Sequence, residues 1–466
     1  MAYGSATRPP EPADARADRA TARASRWSLP NPFRVISGVH ALALADQAVV
    51  SAGSFFTTVI IGRYADASQL GAYAIAISML ASLYTTQGSL ITLPFAIQRH
   101  RPVGTPAEFA GSSLMQSLML AAVAAGVLAV TGLGLFLGGA RPEMTAMAWA
   151  LAAVTQFALL REFGRRFAFN HLKVAHALML DAAVTAMQLA MIAALAWSGR
   201  MSAVTALAAL GLSSGIAGLG WLYLARAEFA IRLAGLLAAV KHGWRLGKWL
   251  FIKQAITQTQ DFITYWLSAA IAGAAVTGVY AACMSIVAFS NPLVYGLSNI
   301  LAPRSVLAWR EGGGASLRRQ AIRDALLIGG VLIPFCAVVV LLGDDVMRLL
   351  YRSKELVAPG YTLDLLVFAA FASAIGLPAA NALAAMERPR AIVAAALIGT
   401  ILTVGLVWWL LSTRGLSGAA AGMLVGSTVG SIGLWIGFLT LVAQRDSAPE
   451  PWMTPPLAGT SDSACN

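Results

Sequence analysis

Charge is what this chain has least of. Only 12% of its 466 residues are charged while 58% are hydrophobic, too little charge to clothe a soluble globule of this size and a composition that belongs in a bilayer. Acidic residues are scarcer than basic ones, 21 against 33, but a chain so apolar is not built to bind nucleic acid, and the excess reads as a topology signal. There are three cysteines, Cys283, Cys336 and Cys465, far apart and with no CxxC pair, so neither a disulfide framework nor a zinc site is supported. Histidines number five; His171 and His176 are spaced so that they do not share a helix face, as paired metal ligands would. The GxxxxGK[ST] phosphate loop is missing, so ATP hydrolysis within the chain is not indicated and no cofactor is suggested.

Long apolar runs fill the chain instead. Twelve segments, from 43–62 to 416–441, reach the roughly 20 residues that cross a hydrocarbon core. The expected fold is therefore an all-α polytopic membrane protein. Its expected parts are an Arg/Ala-rich tail (1–42), a six-helix lobe (43–224), a linker (225–246), a second six-helix lobe (247–443) and a polar tail (444–466). The first 42 residues lack an apolar h-region, so they do not read as a cleaved signal. Twenty-five of the 33 Lys and Arg fall on the tails and the even-to-odd connections and seven on the opposite loops, which places both termini in the cytoplasm. The basic tail between Arg16 and Arg34 reads as a topogenic tail or as a contact for lipid headgroups.

An internal repeat links the halves. At an offset of 207 residues, 46–78 matches 253–285 with ten identities in 33 positions, including a shared Gly-x-Tyr-Ala at Gly71–Ala74 and Gly278–Ala281. Two units of the same orientation are related by a pseudo-two-fold axis along the membrane normal and enclose a central cavity, the architecture of alternating access.

Polar residues stripe the repeat-related helices. Segment seven (247–271) carries Lys253, Gln254, Thr257, Gln258, Gln260, Asp261 and Thr264 within three turns. Ionisable groups at depth cost at least about 2.5 kcal/mol, so they are expected to face water or one another. Lys253, Thr257 and Asp261 share a face; snorkelling of Lys253 and an interhelical hydrogen bond of Asp261 are the plain alternatives to a cavity, and the cavity is favoured. Segment one carries Asp46, Gln47, Ser51, Ser54, Thr57 and Thr58. The offset sets Asp46 opposite Lys253, either as a gating pair formed in one state, as a permanent ion pair or as two unrelated interfacial charges. Segment four ends in Arg161, Glu162, Arg165 and Arg166: turned inward, the Arg161/Arg165 face suits a diphosphate; turned outward, it anchors topology. Arg99, Arg101 and Arg304 share that ambiguity. Asp181 and Asp364, lone acids in apolar segments, read as structural hydrogen-bonding groups, and Gly418, Gly422, Gly426 and Gly430 as a packing stripe.

Three stretches carry a family resemblance: Ser51-Ala-Gly-Ser-Phe-Phe through Gly62-Arg63 and Leu70-Gly71-Ala-Tyr73, Glu387-Arg388-Pro389-Arg390, and Gly415-Leu-Ser-Gly418-Ala-Ala-Ala. In order and spacing they resemble the bacterial polysaccharide (O-antigen or exopolysaccharide) flippases of the multidrug/oligosaccharidyl-lipid/polysaccharide exporter superfamily. The resemblance implies a two-lobed inner-membrane transporter, not an enzyme, that turns an undecaprenyl-diphosphate-linked oligosaccharide from the cytoplasmic to the outer leaflet. Implied partners are that lipid-linked oligosaccharide, membrane lipid and the polysaccharide polymerase or export machinery. Lys253, Arg161 and Arg165 are then the diphosphate candidates, Asp261, Gln258, Thr257, Gln254, Ser54 and Ser51 the cavity residues for sugar or ion coupling, and Asp46 the gating residue. The nearest rival is a proton- or sodium-coupled drug exporter using Asp46 or Asp261. A membrane-embedded polymerase or ligase needs a larger outward loop than 344–360.

Overall fold

A computed structural model describes residues 32–98, 105–231, 236–351, 354–357 and 360–446. Most of the two tails, with Arg99, Arg101 and Cys465, lies outside them. The described residues form helices and short connections, with no strand among them.

The first half contains α1 (Pro32–Tyr64), α2 (Ala67–Gln87), a π turn (Gly88–Thr92) that leads into the short α3 (Leu93–Gln98), α4 (Pro106–Leu137), α5 (Pro142–Asn170), α6 (Val174–Trp197) and α7 (Ala203–Ala225). The second contains α8 (Leu236–Leu267), α9 (Ala274–Val287), α10 (Asn291–Leu350), α11 (Thr362–Ala385) and α12 (Pro389–Asp446). Nine helical stretches among the described residues are long and apolar enough to cross a membrane. Gly313 (φ 58°) breaks α10 and Gly415 (φ 67°) breaks α12, each in a left-handed conformation that glycine alone adopts without strain. These breaks divide the two longest stretches into the expected pairs of segments. Helix α8, which carries the polar segment seven, is not among the nine.

The two lobes meet through small residues. A Cβ placed on Gly71 would run into the carbonyl of Ala274 and come within 2.8 Å of the Gly278 nitrogen; one placed on Gly278 would run into the carbonyl of Ala67 and come within 3.1 Å of the Gly71 nitrogen. Ala67 and Ala274, and Gly71 and Gly278, are equivalent at the 207-residue offset, so the contact is self-complementary about a pseudo-two-fold axis. Here α2 and α9 touch backbone to backbone, which only a missing side chain permits. A core cluster that includes Ile61, Leu70, Tyr280 and Tyr351 surrounds this seal. At the other end α8 rests on the π turn, where Gly247 lies so close to Ser89 that a Cβ would sit 2.6 Å from its carbonyl oxygen.

Candidate functional site

Asp46 lies eighteen residues before the end of α1 at Tyr64, and at 1.5 Å each these separate the seal end from Asp46 by about 27 Å. At the Asp46 end α5 and α6 converge on α1. Arg165 on α5 donates to Asp46 Oδ2 at 2.7 Å and to Asp181 Oδ2 at 2.5 Å, and Arg161, one turn earlier, bonds the other oxygen of Asp181. Arg166 holds Glu162 at 2.6 Å. Asp46, Glu162 and Asp181 are 1%, 4% and 0% exposed. Burying charges costs several kcal/mol per ion unless each is paired; here three guanidinium groups answer three carboxylates and the cluster is formally neutral. Arg165 also sits 5.2 Å over the Phe169 ring.

The Arg161/Arg165 face turns inward, yet both guanidiniums are engaged by carboxylates. Asp46 is joined to Arg165 within its own lobe and not to Lys253, which is exposed on α8. The cause is tertiary: α1 packs beside α6, which brings Asp181 up to Asp46 with Arg165 between them. Asp181 is therefore an ion-pair partner of two arginines rather than a hydrogen-bonding group alone.

Between this cluster and the seal lies a cavity of about 280 Å³. Its polar lining from the first lobe includes Ser54, Tyr84, Thr185 and Gln188, with Arg161 at the cluster side; Tyr265 and Ser285 reach it from the second lobe. Gln188 donates to the Thr57 hydroxyl at 3.3 Å and Ser51 accepts from Gln47 at 3.4 Å. Across the lobes Trp266 donates to Ser78 at 2.8 Å and the Phe55 and Phe289 rings are 4.4 Å apart. Ser285, the repeat equivalent of Ser78, bonds the Tyr351 hydroxyl at 2.9 Å. Of the expected cavity residues Ser54 borders this space, as does Arg161, expected at the diphosphate. Gln254, Thr257 and Gln258 are half-buried on α8 and Asp261 is exposed there; Gln260 accepts from Thr400 at 3.3 Å. Tyr84 and Gln188 were not singled out by sequence. Asp181, Val184, Thr185 and Gln188 follow i, i+3, i+4, i+7, a single helix face, and that spacing is the signal that identifies them.

Beside the π turn an apolar groove of about 230 Å³ is lined by residues that include Leu90, Met119, Val123 and Trp244.

No protein-family profile matches the chain, and no curated protein matches it. Solved structures do. A multidrug resistance MATE family transporter of the MOP superfamily in an inward-facing conformation superimposes with a TM-score of 0.71 at 15% identity, over 87% of this chain and 100% of that one. The fold is that of the MOP superfamily transporters. The lipid II flippase MurJ in an inward closed conformation gives 0.67 at 14% identity, over 86% and 90% of the two chains. A MOP superfamily transporter from Pyrococcus furiosus, described by a reversed polarity of its binding pocket, gives 0.65 at 14%, over 90% and 97%. These likenesses support the two-lobed, all-helical, multi-pass architecture expected from the sequence.

Proposed function

We propose that this protein is an inner-membrane flippase that turns an undecaprenyl-diphosphate-linked oligosaccharide from the cytoplasmic to the outer leaflet by alternating access, in cell-surface polysaccharide assembly. The observation that carries the reading is the cavity. Its polar lining is hydroxyl, amide and aromatic with the Arg161 guanidinium at one side, groups that hydrogen-bond and stack on sugar rings, and the neighbouring Asp46 and Asp181 are held by Arg165 and Arg161. Among the described residues no carboxylate lines it to meet a cationic drug. At about 280 Å³, against roughly 300–1,000 Å³ for drug-sized ligands, the cavity holds a sugar unit and leaves the remaining units to the space between the lobes. The apolar groove beside the π turn suits a polyprenyl tail. Lys253, exposed on α8, stays a diphosphate candidate; Arg161 and Arg165 serve that role in a state where their carboxylates release them. With the basic connections in the cytoplasm, the Gly71–Gly278 seal faces outward and both termini inward.

A second reading, an ion-coupled drug exporter of the same fold, is favoured by Asp261, which is exposed and has no ion-pair partner among the described residues. Binding separates the two. Titrating purified protein with lipid-linked oligosaccharide should give saturable quenching of tryptophan fluorescence, weakened about tenfold in Gln188→Leu, the loss of one good hydrogen bond to a buried group. Saturable binding of a cationic drug that is abolished by Asp261→Asn, with no response to the oligosaccharide, would overturn the flippase reading.

A further inference from the structure

The end of the first lobe that carries the ion cluster holds a second cavity, separate from the first, of about 390 Å³. Its walls are aromatic. Phe95 stacks at 5.4 Å on Phe109 and at 5.7 Å on Phe167, and the His171 ring lies 4.2 Å from Phe167. His171 Nδ1 is 2.9 Å from the Phe167 carbonyl oxygen; a carbonyl can only accept, so Nδ1 donates and the neutral ring keeps a free lone pair on Nε2. Glu228, in the cavity lining, forms a 2.8 Å ion pair with Lys173, and the two side chains are 39% and 46% exposed. Such exposed pairs contribute little to stability, so this one opens readily to a ligand carrying both signs of charge. The Ala230 amide, bonded to the Ala107 carbonyl at 2.9 Å, pins the segment that bears Glu228. Leu224 and Ile97, nearby in sequence on α7 and α3, are exposed apolar residues, so this end of the lobe lies at the level of acyl chains and headgroups.

We propose that this aromatic box binds the phosphoethanolamine headgroup of a bilayer lipid. The phosphate meets Lys173. The primary ammonium lies against Phe109, the part-exposed ring of the box, where cations are attracted, and donates to the Glu228 carboxylate and to His171 Nε2. A trimethylammonium group stacks equally well but has no N–H to give those two acceptors. An anionic headgroup without an amine meets Lys173 but is repelled by Glu228. Arg165 and Arg166 lie one or two residues before Phe167 and five or six before His171, so a lipid in the box braces the helix that supplies the ion cluster. The inference does not depend on what the protein transports.

The test is native mass spectrometry of the full-length protein released from nanodiscs that hold phosphatidylethanolamine, phosphatidylcholine and phosphatidylglycerol in equal parts. One phosphatidylethanolamine should be retained with a preference of about tenfold over phosphatidylcholine, the worth of the hydrogen bonds that choline lacks. Glu228→Gln and Phe109→Leu should each reduce the preference severalfold, whereas Glu143→Gln, an exposed acid at the other end of the same lobe, should leave it intact. Thermal melting confirms that each variant is folded; Glu228 is at the surface, so its replacement is tolerated. Equal retention of the three lipids, a preference for phosphatidylglycerol, or a preference unmoved by Glu228→Gln would overturn the proposal.

Discussion

Arg165 carries more of the structure than any other single charge described here. It bridges Asp46 on α1 and Asp181 on α6, so removing it strands two buried carboxylates with one remaining guanidinium. Arg165→Ala should cost about 3–5 kcal/mol, the usual price of breaking a buried ion network, read as a marked drop in melting temperature in detergent. Arg165→Lys should rescue little, because an ammonium lacks the planar fork that spans two carboxylates; a wild-type melt for Arg165→Ala would contradict this. A smaller effect sits at the far end of the lobe. Asp66 caps α2 by accepting from the Gln69 amide at 2.8 Å, and the Ser68 hydroxyl, followed by burial and the backbone amides, sets its balance so that the carboxyl lies below its ordinary value. A lowered native pKa adds stability above the unfolded pKa that is lost as pH falls through the native value, so the contribution should fade below about pH 4. Asp66→Ala should cost about 1 kcal/mol and Asp66→Asn much less, checked by melts at neutral pH. Sequence placed Arg161 and Arg165 on one face and flagged Asp46 and Asp181, because charge in an apolar helix stands out. It did not say which helix each faced, since the partners come from elements 16 to 119 residues away.

Among the elements, α2 and α9 define the working seal. Their pairing was foreshadowed by the repeat, because the shared Gly-x-Tyr-Ala falls where each helix opens, but equivalence in sequence does not state that equivalent residues touch. Packing decides that, and it needs Gly71 and Gly278 bare. Gly71→Val should hold the lobes apart at this end without unfolding either. A cysteine at Thr58, which borders the cavity, should then react with a membrane-impermeant thiol reagent added outside the cell, while the same cysteine with Gly71 intact stays protected. Equal labelling in both would mean that the Gly71 contact is not the seal. Helix α8 was the most legible element, marked by its run of Gln, Thr and Asp, yet it brings Phe262 and Tyr265 to the cavity rather than that run, and α2 and α6 supply more of the lining. Their contributions, Tyr84 and Gln188, are ordinary residues in apolar helices, and only the helical spacing from Asp181 points to Gln188.

At the scale of the molecule, long apolar helices, a sequence repeat whose equivalent glycines meet between the lobes and a neutralised ion cluster beside a cavity describe the fold shared with solved MOP superfamily transporters. Polypeptide length and periodicity made the architecture readable; the substrate was not, because hydroxyl and amide groups are common in membrane helices and gain meaning only when they converge. The most direct measurement is leaflet-resolved detection of lipid-linked oligosaccharide in cells that lack this protein, complemented with wild type or with Gly71→Val. The account predicts that the intermediate accumulates on the cytoplasmic leaflet in the deletion strain and with Gly71→Val, and that wild type restores its outward appearance. Outward appearance unchanged by the deletion would contradict it.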